Sequence, residues 1–60
     1  MVKTTKAQRV ALKKLWLRDP SRSYRTMRVE VQGTFGCDGA VVIRWNNMWL
    51  CIETDGYCHS

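Results

Sequence analysis

Apolar residues recur at helical spacing over the first part of the chain. At 100° per residue they form one broad face, which consists of Ala7, Ala11, Leu12, Leu15 and Trp16, with Val10 and Leu17 on one flank. Thr4 or Thr5 is placed to cap this segment, and Asp19-Pro20 is a typical stop signal. The pattern therefore predicts an amphipathic helix that ends near Arg18.

A second pattern, of period two, lies on both sides of Asn46-Asn47. The runs AVVIRW and MWLCIE are strand-like, and Asn tolerates the positive φ of a two-residue hairpin turn. Such a turn predicts the pairs Trp45–Met48, Arg44–Trp49, Ile43–Leu50, Val42–Cys51 and Val41–Ile52. One face is then wholly apolar and is expected to pack on the helix: Val41, Ile43, Trp45, Met48, Leu50 and Ile52. The other face is mixed: Val42, Arg44, Trp49, Cys51 and Glu53.

Residues 21–32 support two interpretations. Ser21 or Ser23 could cap a short helix that places Tyr24, Met27 and Val31 on one face. Residues 27–32, however, alternate between apolar and polar side chains, which is a strand pattern. The glycine-rich stretch GTFGCDG at 33–39 is expected to be a connecting loop.

The predicted fold class is α+β, in one small domain that spans residues 1–60. It has an N-terminal helix, a short second helix or a strand, and a C-terminal β-hairpin packed on the helices. A chain of 60 residues buries only about 60% of its unfolded surface. That size leaves little room for a deep substrate cavity besides a core, so we do not expect an enzyme.

Charge is distributed unevenly along the chain. Residues 1–28 carry nine Lys or Arg against one acid, Asp19, whereas residues 29–60 carry Arg44 against four acids. The N-terminal part is thus +8 and the C-terminal part −3, within a net charge of +5. A strongly basic half suggests a polyanionic partner, although a charged face also keeps a small protein soluble.

Basic residues lie opposite the apolar face of the predicted helix. We expect Lys6, Arg9 and Lys13 to contact nucleic acid. Lys3 would join them, and so would Arg22, Arg25 and Arg28 if the second segment lies alongside. The alternative is an ordinary solvent-exposed face of an amphipathic helix. The first function hypothesis is therefore a small basic module that contacts nucleic acid through its N-terminal helix.

The mixed face of the hairpin supports a second hypothesis. In the predicted register the Arg44 guanidinium can cover the Trp49 indole, and both residue types are common at interface hot spots. The pair could anchor another protein or a second copy of the chain, or Arg44 could simply cover an exposed aromatic ring. We therefore weigh a protein-interaction module against the nucleic-acid hypothesis.

The cysteines and the histidine predict little chemistry. Cys37, Cys51, Cys58 and His59 hold enough donor atoms for a zinc site, but no C-x₂₋₄-C pair is present. We therefore expect thiols without a metal, no cofactor and no catalytic residues. The odd number of cysteines and the lack of a secretory signal pattern favour the cytoplasm. We expect no membrane partner, because the sequence contains no run of 18 apolar residues.

Residues 45–60 resemble a recurrent ending of short uncharacterised proteins encoded in tailed-bacteriophage and prophage genomes. The pattern is W--MWLCIETDGY-HS, in which the dashes mark positions that do not belong to it. KAQRVALK at 6–13, SYR at 23–25 and VQ at 31–32 fit the same pattern. The resemblance covers most of the chain but implies no chemistry and no functional residues. It implies a phage-derived protein in the cytoplasm of a host cell and favours a second helix within residues 21–32. A host or phage protein is then a candidate partner.

Overall fold

The computed structural model describes residues 3–33 and 39–60. Two helices, α1 (Lys6–Arg18) and α2 (Tyr24–Val29), precede four strands. The strands are β1 (Gln32–Gly33), β2 (Val41–Trp45), β3 (Met48–Ile52) and β4 (Cys58–His59). They form one antiparallel sheet in the order β1-β2-β3-β4. The predicted α+β class is confirmed, and the sheet is larger than the predicted hairpin.

Helix α1 begins and ends where the sequence predicts. Thr5 is the N-cap: its hydroxyl accepts from the Gln8 backbone N–H at 3.1 Å, and Gln8 Oε1 accepts from the Thr5 N–H at 2.8 Å. This reciprocal capping box satisfies two backbone donors that a helix start would otherwise leave without a partner. At the other end, Asp19 donates its N–H to the Trp16 carbonyl, directly before Pro20.

The second segment is a helix, which decides between the two interpretations. Ser23 caps it by accepting from the Thr26 N–H at 3.1 Å. Met27 and Val31 are buried together, as the helical spacing predicts. The alternating pattern would also have buried Val29, which is instead 67% exposed. The alternating stretch contributes only its last residue, Gln32, to a strand, and that strand continues to Gly33.

The hairpin has the predicted register at all five pairs of residues. Asn46 and Asn47 both have positive φ, 48° and 64°, as a two-residue turn of this kind requires. The apolar face is buried, with one correction: Met48 is 48% exposed. It is the first residue after the turn and borders an open groove beside α1, which leaves its side chain exposed.

Strand β4 arises from the tail, where no periodicity predicts it. The chain reverses at residues 53–56, where the Gly56 N–H donates to the Glu53 carbonyl at 2.8 Å. The Glu53 N–H donates in turn to the Tyr57 carbonyl at 2.8 Å, and the ladder continues with Cys51 opposite His59. Cys58 faces the core, and His59 faces the outer side of the sheet.

The core lies between the helices and the inner face of the sheet. Its members are Leu12, Leu15, Met27, Val31, Val41, Ile43, Trp45, Leu50 and Ile52, with Ala11, Trp16, Tyr24 and Cys58 packed against them. The expected flank of α1 stays outside this core, since Val10 and Leu17 are exposed. Gln8, in contrast, is fully buried. No helix among residues 3–33 and 39–60 is long and apolar enough to cross a membrane.

Candidate functional site

The side of α1 that faces away from the sheet is basic. Lys6, Arg9 and Lys13 are exposed there, as the helical spacing predicts. Arg9 Nη1 donates to the Thr4 carbonyl at 2.8 Å, which holds the guanidinium near the start of the helix. The three side chains therefore occupy one turn after another along the same solvent-exposed side.

An aromatic contact joins α2 to this side of α1. The Tyr24 hydroxyl donates to the Arg9 carbonyl at 3.2 Å, and its ring stands edge-on to Trp16 with centroids 6.1 Å apart. Trp16 Nε1 donates to the Arg22 carbonyl at 2.6 Å, which fixes the chain between the helices. The Arg28 guanidinium lies 5.8 Å from the Tyr24 ring centroid. Tyr24 thus brings Arg28 next to the Arg9 turn of α1.

The predicted basic residues of the second segment differ in their surroundings. Arg22 forms an ion pair with Glu30, so its charge is compensated within the chain. Arg25 is exposed. Among the described residues, ion pairs are formed by Arg22 with Glu30 and by His59 with Glu53. We define the basic helical surface as the remaining cations of this side: Lys6, Arg9, Lys13, Arg25 and Arg28.

On the outer face of the sheet, Arg44 and Trp49 make the predicted contact. The guanidinium carbon of Arg44 lies 5.5 Å from the centroid of the Trp49 ring. Trp49 is 48% exposed and lies on the opposite face of the sheet from the core. Such a contact stabilises an exposed site by about 0.5–1 kcal/mol. Because Trp49 stays half-exposed, Arg44 covers the indole only partly.

Further along the same outer face, three chemically different side chains meet. Glu53 Oε2 accepts a hydrogen bond from His59 Nε2 at 2.7 Å and from the Cys51 thiol at 3.5 Å. The Tyr57 ring stacks on the His59 ring, with centroids 5.4 Å apart and planes 26° apart. We refer to Cys51, Glu53 and His59 as the outer cluster.

Hydrogen bonds within the outer cluster shift its acid–base properties. The bonds from His59 and then from Cys51 lower the pKa of the Glu53 carboxyl. The bond to the Glu53 carboxylate, followed by that to the Ser60 carbonyl, raises the pKa of His59. Burial raises the pKa of the Cys58 thiol, which lies on the core side of β4. The carboxylate and the imidazolium therefore stabilise each other's charged form.

The outer cluster differs from the residues considered for zinc in the sequence. Cys51 and His59 meet, Cys58 points to the opposite face, and Cys37 lies outside the described residues. Glu53 is not among the four residues whose donor atoms suggest zinc in the sequence, but it lies in the cluster. The spacing Cys51-x-Glu53 on a predicted strand could have indicated that these two side chains share a face. Only the unexpected strand β4 adds His59.

A groove runs between α1 and the β3–β4 side of the sheet. Its volume is about 940 Å³, and its walls include Val10, Leu15 and Met48. Lys14 and Arg18 border it on the helix side. The groove exists because the buried side of α1, centred on Leu12 and Leu15, does not extend over the exposed end of β3.

No protein family model, curated protein or solved structure matches this chain. The resemblance to phage-encoded proteins therefore stays a prediction, and function has to be inferred from the geometry.

Proposed function

We propose that the protein is a binding module whose basic helical surface contacts the phosphate backbone of nucleic acid. The observation that carries this proposal is the absence of acidic partners on that surface within the described residues. Glu30 is paired with Arg22, Glu53 is paired with His59, and Asp55 Oδ1 accepts from the Tyr57 N–H. The fourth described acid, Asp19, follows the end of α1 and forms neither of the two ion pairs. The positive charge of the surface therefore remains available to an external anion.

The spacing along α1 suits a polyphosphate strand. Lys6 and Lys13 lie seven residues apart, which corresponds to about 10 Å along a helix axis. That length is the axial span of about three phosphates on one strand of DNA. Contacts of this kind are independent of sequence, because they are made to backbone phosphate oxygens and not to base edges.

Salt dependence is the test. Fluorescence anisotropy with labelled single- and double-stranded oligonucleotides should give a plot of log K against log salt with a slope of about −2 to −3, as expected for about three neutralised phosphates. The double charge reversal Arg9→Glu/Lys13→Glu should reduce the magnitude of that slope by about 2. Circular dichroism should show an unchanged fold, since both side chains are exposed.

The matched control reverses the same amount of charge elsewhere on α1. Lys14 and Arg18 line the groove, whereas Arg9 and Lys13 do not, so Lys14→Glu/Arg18→Glu should keep most of the binding. Equal losses in the two double variants would assign the binding to net charge and not to this surface. No binding below about 50 mM salt, where screening is weak, would reject the proposal.

A second candidate function is self-association through Arg44 and Trp49. It is favoured by the half-exposed Trp49 indole, which lies on the face of the sheet opposite the core. Sedimentation velocity over a range of protein concentrations should then show a dimer that persists in high salt. Trp49→Ala should abolish the dimer and leave nucleic-acid binding intact, so the two candidates are separable.

A further inference from the structure

We infer that the outer cluster binds one divalent transition-metal ion of the zinc type. Cys51, Glu53 and His59 each offer one ligand atom, a sulfur, a carboxylate oxygen and an imidazole nitrogen, and these atoms all lie within 4.8 Å of one another. Three protein ligands leave a fourth position for water or another ligand. This inference is independent of the basic helical surface, which lies on the helices.

Two of the three distances between the ligand atoms, those to Glu53 Oε2, are close to the values of a tetrahedral site. Zinc–ligand bonds of about 2.0–2.3 Å place neighbouring ligand atoms about 3.3–3.8 Å apart. Cys51 Sγ and Glu53 Oε2 are already 3.5 Å apart. Glu53 Oε2 and His59 Nε2, now 2.7 Å apart, have to separate by only about 0.6 Å to reach that range. Rotation of the partly exposed Glu53 side chain can supply this movement.

The backbone holds these three residues on one face. Cys51 and Glu53 are two positions apart along the chain, so they point to the same side of the sheet. His59 lies directly opposite Cys51 in the β3–β4 ladder. The hydrogen bond from the Glu53 N–H to the Tyr57 carbonyl continues that ladder beyond the strand. The ligands therefore project from paired, hydrogen-bonded backbone.

Neighbouring groups orient the histidine as a ligand. Tyr57 stacks on the imidazole and restricts its plane. His59 Nδ1 lies 3.4 Å from the Ser60 carbonyl, which favours a proton on Nδ1. That arrangement leaves Nε2 directed at Glu53 and Cys51, and ligand histidines commonly donate their other N–H to a carbonyl in this way.

The donor set selects among metals. A thiolate and an imidazole favour zinc, cobalt or copper ions, whereas magnesium and calcium prefer oxygen ligands alone. Binding replaces the proton on the Cys51 sulfur and the proton on His59 Nε2 with one metal ion, and both protons pass to the solvent. The thiolate and the carboxylate then balance the 2+ charge, so the site carries no net charge at its exposed position.

Cobalt(II), a coloured substitute for zinc, provides the test. The reduced protein should bind one Co²⁺ and show thiolate-to-cobalt charge-transfer absorption, and Zn²⁺ should displace the signal. Cys51→Ser should remove the charge-transfer band. Glu53→Gln and His59→Gln should each weaken binding by about tenfold or more, since even changes outside the ligand shell cost about 10–100-fold.

Two matched controls separate this site from adventitious binding. Cys58→Ser removes the neighbouring thiol that faces the core, and Asp55→Asn removes a nearby carboxyl outside the cluster. Both variants should retain one Co²⁺ and the thiolate band. His59→Gln, at a half-exposed position, keeps the test informative even if Cys51→Ser unfolds.

Two results would overturn the inference. One is a wild-type protein without thiolate–cobalt absorption, and the other is a band that survives Cys51→Ser or disappears in Cys58→Ser. All measurements are made without nucleic acid, so failure of the phosphate-binding proposal does not affect them.

Discussion

The side-chain amide of Gln8, in the first turn of α1, donates a hydrogen bond to the carbonyl oxygen of Ile52, the last residue of β3, at 3.1 Å. The same Nε2 donates to the Gly39 carbonyl at 2.7 Å, while Oε1 accepts from the Thr5 N–H. Gln8 is fully buried. A polar side chain inside the core thus ties the start of the helix to the end of the hairpin.

Replacing Gln8 with alanine should destabilise the domain. The substitution leaves the buried Ile52 carbonyl without this donor, and an unsatisfied buried group costs about 1–3 kcal/mol. The expected result in urea denaturation is a lower midpoint with an unchanged slope. For a chain of this size such a loss is a large part of the total stability.

Gln32→Ala is the matched control, because Gln32 is an exposed glutamine in β1. Its free energy of unfolding should change by less than about 0.5 kcal/mol. If Gln8→Ala were as mild as Gln32→Ala, the buried hydrogen bonds would contribute nothing net to stability.

The two tryptophans of the hairpin should respond very differently to truncation. Trp45 is 8% exposed and belongs to the core, so Trp45→Ala should cost about 3–5 kcal/mol. Trp49→Ala removes mainly the contact with Arg44 and should cost about 1 kcal/mol or less. Denaturant melts of both variants provide the comparison. Similar losses would contradict the assignment of only Trp45 to the core.

Asn47 allows the turn to be strengthened or weakened by single substitutions. Its φ of 64° suits glycine, so Asn47→Gly creates the Asn-Gly sequence preferred in this turn and should raise the melting temperature. Asn47→Ala places a side chain without a local hydrogen-bonding group in the left-handed region and should cost about 1–2 kcal/mol. Thermal melts of the two variants should therefore shift in opposite directions. Shifts in the same direction would show that φ at this position does not control stability.

Gly56 should not tolerate a side chain. Its φ is +92°, and a Cβ there would lie 3.0 Å from the Ala7 carbonyl oxygen. Gly56→Ala should therefore destabilise more than Asn47→Ala, because a close contact with backbone is added to the unfavourable φ. Chemical denaturation of both variants under the same conditions tests this order, and the reverse order would show that the chain near residue 56 relaxes readily.

The sequence predicts those elements whose signal is local. The Thr5 cap, the Asp19-Pro20 stop and the Asn46-Asn47 turn each depend on neighbouring residues, and the structure confirms all three. The segment at Tyr24–Val29 was ambiguous, because helical and alternating patterns overlap there. Exposure of Val29, between the buried Met27 and Val31, decides in favour of the helix, and which side chains become buried is a tertiary effect.

The candidate sites were only partly predictable for the same reason. Helical spacing locates Lys6, Arg9 and Lys13, but only the contact of Tyr24 with Arg9 brings Arg28 beside them. The outer cluster depends on β4, whose two residues are too few to show periodicity. Likewise, burial of Gln8 depends on backbone carbonyls 31 and 44 positions away in sequence, which no local pattern reveals.

The two outermost strands of the sheet are very short. Within the part of the chain that the structure describes, β1 and β4 contain two residues each, whereas the central strands contain five. Long unpaired strand edges act as templates on which other chains add strands, and this leads to aggregation and amyloid. Short outer strands offer few backbone groups for such growth. Among the described residues they pair with Val41–Val42 and Cys51–Ile52, so Ile43–Trp45 and Met48–Leu50, beside the turn, are the edge positions on which another strand could add.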